Sequence, residues 1–149
     1  QVLGPLATPT PPKAARDGVP VGRFQFPGEA PAHLFLAGAL KELLEAEPHA
    51  SVAVITSTSQ MAQRFFPLIS HLAHTRLVER GEFLFTPGLD VTDVDAVKGL
   101  EWDYVIIPDA NAANWPGTDE GRRRLHVAVT RASHQLWLLS PGTPSPLIA

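Results

Sequence analysis

The sequence predicts an α/β fold, a three-layer domain with a mainly parallel sheet. Two short apolar runs rich in β-branched residues, Ser51–Thr56 and residues 104–107, have the composition of strands buried on both faces. Segments with apolar residues at helical spacing alternate with these runs. Short turns that contain proline and glycine join them. Strands that alternate with helices form parallel sheets covered on both faces, so this order predicts the α/β class.

The first half of the chain contains two predicted strand–helix pairs. Val21–Phe26 alternates apolar and polar residues as a half-buried strand does, and Pro27-Gly28 closes it. Residues 31–47 form a predicted helix that has Pro31 in its first turn and ends before Pro48. Ser51–Thr56 is the predicted central strand. Residues 57–72 carry an apolar helical stripe, in which Pro67 is expected to kink or split the helix.

The second half is predicted to add further strands and one helix. Residues 77–85 and 90–94 each supply a short strand, and residues 104–107 a buried one. A helix begins after Thr118, whose hydroxyl is a suitable N-cap, and it turns Leu125, Val129 and Ala132 inward. Residues 135–139 form the last strand.

Length and composition indicate one domain in a chain of 149 residues, 44% of them hydrophobic. We expect a proline-rich linker or extended arm at residues 1–20, the domain at 21–140 and a tail at 141–149. A formal charge of −3 gives no overall attraction to nucleic acid. The chain has no cysteine, no apolar run long enough for a membrane span and no signal-like N-terminus, so we expect a cytoplasmic protein without membrane contact.

Two linked motifs carry the functional information. The first is Lys-Gly-Leu-Glu-Trp-Asp at residues 98–103, and the second is Arg-Leu-His-Val-Ala-Val-Thr-Arg-Ala at residues 124–132. In this order, with a strand between them, they resemble the last two motifs of UvrD/Rep-type superfamily 1 helicases, in the C-terminal, second RecA-like domain. The resemblance covers about residues 51–139 and is strongest after Val91.

The resemblance implies an ATP site shared with a second domain. In that family the residues that match Gly99 and Glu101 approach the nucleotide, and the glutamate reaches its ribose. The arginine that matches Arg131 is the finger on the γ-phosphate. Lys98, Thr130 and Arg124 complete the implied nucleotide contacts. Arg124 is included because it lies seven residues before Arg131, so the two are expected to share one helix face. We expect these motifs to meet at the carboxyl edge of the sheet, where parallel α/β folds bind ligands.

The other half of that ATP site is not found in this sequence. No Gly-x-x-x-x-Gly-Lys-[Ser/Thr] loop occurs in it, so ATP and Mg²⁺ are expected to be held mainly by an N-terminal RecA-like domain of the same polypeptide. The chain is therefore expected to be a fragment of a larger protein and to be inactive in ATP hydrolysis by itself. The expected partner is single-stranded nucleic acid; DNA is the leading expectation, and the sequence leaves the choice between DNA and RNA open.

Three departures from the family pattern limit this inference. Residues 93–95 read Asp-Val-Asp where the family has Thr-x-His near the bound strand, and two carboxylates there repel phosphates. About twenty residues separate Leu72 from Asp93, where many relatives insert a large accessory subdomain, so this is a minimal form. His126 replaces a tyrosine that is common in the second motif.

Several further side chains have a functional reading beside an ordinary structural one. Trp102 stacks on a base or packs in the core, and Arg122 and Arg123 contact phosphate or form a solvated face. Asp93 and Asp95, two apart on a predicted strand, point the same way and could hold a divalent ion or be edge residues. His71 and His74 have metal-ligand spacing but suit a helix end. Trp115, in a loop, indicates an exposed partner surface.

Two other functions remain open from sequence. One is a non-catalytic interaction module that was derived from a helicase and docks on RNA polymerase or on a nuclease. The other is a small-molecule-binding α/β domain unrelated to helicases. The finger hypothesis requires Arg131 to lie outside the hydrophobic interior and on the same rim as the bend at Gly99 and Glu101.

Overall fold

A computed structural model of the chain describes residues 18–79, 82–83 and 86–148. Six strands form one parallel sheet in the order β1-β6-β5-β2-β4-β3. The α/β class and the parallel sheet are therefore confirmed. The elements of the described residues are β1 Val21–Phe26, α1 Glu29–Ala46, β2 Ser51–Thr56, α2 Ser59–Ile69, β3 Thr75–Leu77, β4 Gly88–Asp93, β5 Trp102–Ile107, α3 Asp119–Val129 and β6 Ala132–Pro141.

The sheet is covered on both faces, which gives the three layers. Helices α1 and α2 pack on one face, where Leu36, Leu40 and Ile69 join the inward side chains of the central strands. The other face carries α3 together with the connection from β4 to β5. That connection contains no α-helix; it has a single 3₁₀ turn, Val94–Ala96, and buries Val94 and Val97. It leaves β4 at the carboxyl edge and returns across the face to start β5.

The first two strand–helix pairs are confirmed, and α1 begins two residues earlier than predicted. The expectation that Pro67 splits the second helix is wrong, because α2 is one helix in which Pro67 lies in the last turn. Only two residues of helix follow the proline, so its missing N–H and its ring disturb little of the helix. The side chain of Thr58 caps α2 by accepting a hydrogen bond from the amide of Met61 at 3.2 Å.

Of the strand predicted at residues 77–85, only Leu77 lies in a strand among the described residues, because β3 ends there; residues 80–81 and 84–85 lie outside the described residues. Arg76 instead donates two hydrogen bonds to Thr86, which brings the approach to β4 back beside β3. β4 begins at Gly88 with a φ of 129°, a conformation that favours glycine, and a side chain at this position would collide with the carbonyl oxygen of His74.

The predicted last helix and last strand are both present, as α3 and β6. Thr118 caps α3 by accepting a hydrogen bond from the amide of Gly121 at 3.0 Å. Ala132 is buried as predicted, but as the first residue of β6 rather than on the helix. After β6 the chain folds back, and Ser145 and Ile148 are buried on the α3 face.

Most of the predicted arm, residues 1–17, lies outside the described residues. Val19 is buried, and the carbonyl of Pro20 accepts a hydrogen bond from the amide of Leu136 at 3.0 Å. The division at residues 20 and 140 stays a prediction. No helix in the described part of the chain has the length and hydropathy to cross a membrane.

Candidate functional site

The two sequence motifs meet at the amino-terminal edge of the sheet. Residues 99–101 immediately precede β5 and residues 130–131 immediately precede β6, and these two strands are neighbours whose first residues, Trp102 and Ala132, pair. The expectation that the motifs lie at the carboxyl edge is therefore wrong. In a parallel sheet all strands start at one edge, so residues that precede two adjacent strands are held side by side.

Arg131 links the two motifs directly. Its Nη1 donates a hydrogen bond to the carbonyl of Leu100 at 3.1 Å, and its own carbonyl accepts one from the amide of Trp102 at 2.9 Å. Nε donates to the carbonyl of Val127 at 2.9 Å, and Nη2 donates to the hydroxyl oxygen of Thr130 at 3.0 Å. The side chain is half-buried, on the same rim as the Gly99–Glu101 bend and outside the core. The two placement conditions stated for Arg131 are met, and its role as a finger stays a prediction.

These contacts also explain how Arg131 is positioned. The helix α3 ends at Val129, where its last carbonyl groups lack helical partners. A guanidinium has five N–H donors in a fixed fork, and the contacts above use one on each of its three nitrogens. The Arg131 side chain therefore closes the negative end of α3 and still has donor groups for an incoming anion.

The bend in front of Arg131 is open to solvent. Lys98, Gly99 and Glu101 are exposed, and Leu100 is half-buried against the core. Gly99 has a φ of 82° and no atom within 4 Å of the place where a side chain would lie, so a ligand can approach its backbone. The bend thus presents an exposed carboxylate and bare backbone beside a guanidinium.

A pocket of about 420 Å³ continues from the bend under the starts of β2, β4 and β5. Its polar wall is built from Asp90 and Asp103. Asp103 accepts the amide of Ser51 at 3.0 Å, and its own amide donates to the Ser51 hydroxyl at 2.9 Å, which ties the starts of β2 and β5 together. Asp90 accepts hydrogen bonds from Arg76 at 2.8 Å and from the Trp102 indole at 3.0 Å. The edge therefore has an acidic recess on one side of Gly99 and Arg131 on the other.

Comparison with known proteins finds similarity to helicase C-terminal domains. Residues 88–139 match the family model of the UvrD-like helicase C-terminal domain. A similar solved structure is the C-terminal domain of a possible DNA helicase from Lactobacillus plantarum WCFS1; the TM-score is 0.73, the identity 26%, and the match covers 85% of this chain and 77% of that one. The chain is therefore similar to UvrD-like helicase C-terminal domains, in sequence over residues 88–139 and in fold over most of its length. No curated protein matches the chain.

Arg124 does not lie with the Gly99–Glu101 bend and Arg131. Arg131 follows the end of α3, so the two arginines do not share a helix face as predicted. Nη2 of Arg124 donates to the carbonyl of Ser57 beyond the carboxyl end of β2 and lies 3.3 Å from Asp95. Its guanidinium carbon lies 6.0 Å from the centre of the Trp115 ring. Arg124 thus connects α3 to the carboxyl edge of the sheet, opposite to the edge that carries Gly99 and Arg131, and its role as a nucleotide contact stays a prediction.

Trp115 is buried, so the expectation of an exposed partner surface in its loop is wrong. Its relative exposure is 0%, and its indole donates a hydrogen bond to Asp109 at 3.0 Å. Asp109 follows β5 and also accepts the amide and hydroxyl of Ser57, at 3.1 and 2.9 Å. This Asp109 network fixes the loop after β5 to the end of β2. Sequence analysis missed it because its members are distant in the chain.

The acidic and histidine pairs do not form metal sites. Asp93 ends β4, and its carboxylate caps the 3₁₀ turn by accepting the amide of Asp95 at 3.1 Å, so the two residues are not on one strand. Asp95 is exposed and pairs with Arg124. His71 and His74 are exposed. No group of three or more histidine, aspartate or glutamate side chains in residues 18–79, 82–83 and 86–148 is arranged for a metal ion.

The weak nucleic-acid candidates separate into buried and exposed residues. Trp102 is 5% exposed, its ring packs edge-on against Phe83 at 5.3 Å, and its indole is bonded to Asp90. Its alternative role in core packing is therefore confirmed. Arg122 and Arg123 are exposed on α3. Their exposure agrees both with a solvated face and with phosphate contact, so it does not decide between the two.

Asp109 gives a prediction for the pH dependence of stability. Burial raises the pKa of its carboxyl group above the ordinary value of 3.8, although the donors of Trp115 and Ser57 oppose this. Between the ordinary and the raised pKa the folded chain binds a proton that the unfolded chain has released. The free energy of unfolding is therefore expected to fall as the pH rises through that window.

The measurement is denaturant unfolding across a pH series for the parent chain and for Asp109→Asn. Burial also raises the pKa of Asp93. Asp93 is present in both proteins, so its contribution to the pH dependence cancels in the difference between them. The parent should lose more stability with rising pH than the variant. Equal pH slopes would show that Asp109 does not titrate differently in the two states.

Proposed function

We propose that this UvrD-like domain is the C-terminal motor domain of an ATP-dependent superfamily 1 DNA helicase or translocase. It supplies an arginine finger and nucleotide contacts to an ATP site that an N-terminal RecA-like domain completes. The observation that carries the proposal is the pair of hydrogen bonds between Arg131 and the bend at Leu100 and Trp102, because it brings both motifs to one rim.

Arg131 is the residue that acts on the reacting group in this proposal. A guanidinium stays protonated and meets two phosphate oxygens at once, so it stabilises the charge that builds on a transferring phosphoryl group. Its anchoring by three protein oxygens holds it in place before the nucleotide arrives. Preorganised charge of this kind is the main protein contribution to phosphoryl transfer.

The bend supplies the contacts to the rest of the nucleotide. Glu101 accepts hydrogen bonds from the ribose hydroxyls, and the exposed backbone at Gly99 allows close approach. Lys98 contributes positive charge from the same exposed bend. Thr130 acts through Arg131, because its hydroxyl oxygen accepts a hydrogen bond from Nη2 of that arginine. Mg²⁺ and the phosphate-binding loop belong to the other domain. The strand partner is single-stranded DNA, and Arg122 and Arg123 are the exposed cations of α3 available to it.

The ribose contact can be tested with Glu101→Gln in the polypeptide that contains both domains. Loss of a carboxylate that accepts a hydroxyl weakens binding by roughly 1.5–3 kcal/mol, so the KM for ATP is expected to rise about tenfold or more. The parent should prefer ATP to 2′-deoxy-ATP, and the variant should lose most of that preference. Steady-state hydrolysis with both nucleotides measures the two effects.

Glu120→Gln is the matched control, because Glu120 is also exposed but lies in the first turn of α3. It should leave the KM unchanged. If both variants discriminate between the two nucleotides as the parent does, Glu101 does not hold the ribose. If the two-domain protein hydrolyses no ATP even with single-stranded DNA, the interaction-module hypothesis replaces the motor.

A further inference from the structure

An aromatic groove lies on the face of the sheet opposite to α3. It lies between α1 and the strands β1, β5 and β6, and its volume is about 680 Å³. Tyr104 and Trp137 form its floor, with exposures of 6% and 7%. Phe24 and Phe35 form one side, with their ring centres 5.0 Å apart. The nucleotide motifs do not line this groove.

The groove is acidic as well as aromatic. The exposed carboxylates of Glu42, near the end of α1, and of Glu47, the residue that follows α1, lie on its rim. Glu47 interacts with the phenol of Tyr104, whose pKa is raised first by burial and then by this negative charge. No lysine, arginine or histidine is among the described residues that line the groove, and no described cation forms an ion pair with Glu42 or Glu47.

We propose that this aromatic groove binds an arginine side chain presented by a segment of a partner polypeptide. Aromatic faces attract cations through their quadrupole, and carboxylates on the rim complement the same charge. The guanidinium fits better than an ammonium group, because it is planar, less strongly hydrated and stacks on rings. Phe24 and Phe35 cover the aliphatic stem of the arginine and its apolar neighbours.

The groove contains its own reporter. Trp137 lies on the floor, and its indole N–H donates to the side-chain oxygen of Gln135 at 2.6 Å. The chemical shift of this N–H should respond to a cation placed above the ring. The other two tryptophans, Trp102 and Trp115, bond to Asp90 and Asp109 elsewhere and serve as internal references.

The experiment is a titration of the ¹⁵N-labelled chain with acetyl-leucyl-arginine amide, followed by NMR. The matched probe is acetyl-leucyl-citrulline amide, which has the same shape without the charge. The arginine probe is expected to shift the Trp137 indole signal with a Kd of about 1 mM, and the citrulline probe to bind about tenfold more weakly. Glu42→Gln combined with Glu47→Gln should remove that difference.

Glu45→Gln is the control for the double variant, since Glu45 is an exposed carboxylate of the same helix that pairs with Lys41 outside the groove. It should bind the arginine probe as the parent does. The proposal is overturned by equal binding of the two probes, by an unmoved Trp137 signal, or by a double variant that still prefers arginine. Self-association that increases with concentration and disappears in the double variant would assign the groove to a second copy of the chain and also overturn it.

Discussion

Arg131→Ala in the two-domain protein is expected to lower DNA-stimulated ATP hydrolysis by at least about 10³-fold. The reason is the loss of the charge that stabilises the transferring phosphoryl group, which is worth roughly 4–7 kcal/mol in such enzymes. The effect should appear in kcat, because a finger acts mainly in the transition state. Steady-state hydrolysis at saturating ATP and single-stranded DNA measures it.

The structural cost of the same change should be small by comparison. Arg131 donates to Val127, Leu100 and Thr130, so its removal leaves oxygens at a half-buried helix end that water can reach. We expect a loss of about 1 kcal/mol in unfolding free energy. Arg131→Lys keeps the charge but not the fork and should recover only part of the activity.

Arg122→Ala controls for the removal of an arginine, because Arg122 is exposed on the same helix. Its intrinsic ATP hydrolysis without DNA should equal that of the parent. Full hydrolysis by a folded Arg131→Ala protein would remove the finger role and leave Arg131 as a helix-terminating residue only.

Asp109→Ala is expected to destabilise the 149-residue chain by about 2–3 kcal/mol. Asp109 is 1% exposed and accepts three hydrogen bonds, from Trp115 and from two groups of Ser57. Its removal leaves these buried donors without an acceptor, while relief from burying a carboxylate offsets part of the loss. Chemical denaturation at neutral pH measures the change.

Two further variants define the origin of that effect. Ser57→Ala removes one of the three donors and should cost about 1 kcal/mol. Asp119→Ala removes an exposed aspartate in the first turn of α3 and should cost less than about 1 kcal/mol. If Asp109→Ala is as stable as Asp119→Ala, the Asp109 network does not stabilise the fold.

Local patterns predicted the elements well because their signals are local. The β-branched run of β2 and the capping threonine before α3 each specify structure within a few residues. The adjacency of Gly99 and Arg131 was also predictable, from the order of two motifs around one strand. Even the correct edge followed from chain order, since each motif precedes its strand; the general tendency of ligands to bind at carboxyl ends led to the wrong one.

Long-range contacts were not predictable in this way. Trp115 lies in a polar loop, and its burial depends on residues distant in the chain: its indole bonds to Asp109, which the pairing of β2 and β5 brings beside Ser57, and its ring packs in the core on the α3 face. Arg124 was expected on the same helix face as Arg131, because seven residues make two helical turns. The helix α3 ends at Val129, however, so Arg131 is not on the helix. Both errors come from sheet geometry and helix length, which no local pattern contains.

Two arginines hold helix α3 against the rest of the domain, one at its middle and one beyond its end. Arg124, at the middle, donates to Ser57 and pairs with Asp95, and Arg131, two residues after the helix, donates to Leu100. A helix bound in this way has no hinge of its own. If Arg131 acts as the proposed finger, its guanidinium therefore approaches or leaves a triphosphate only when the whole domain moves as a rigid body.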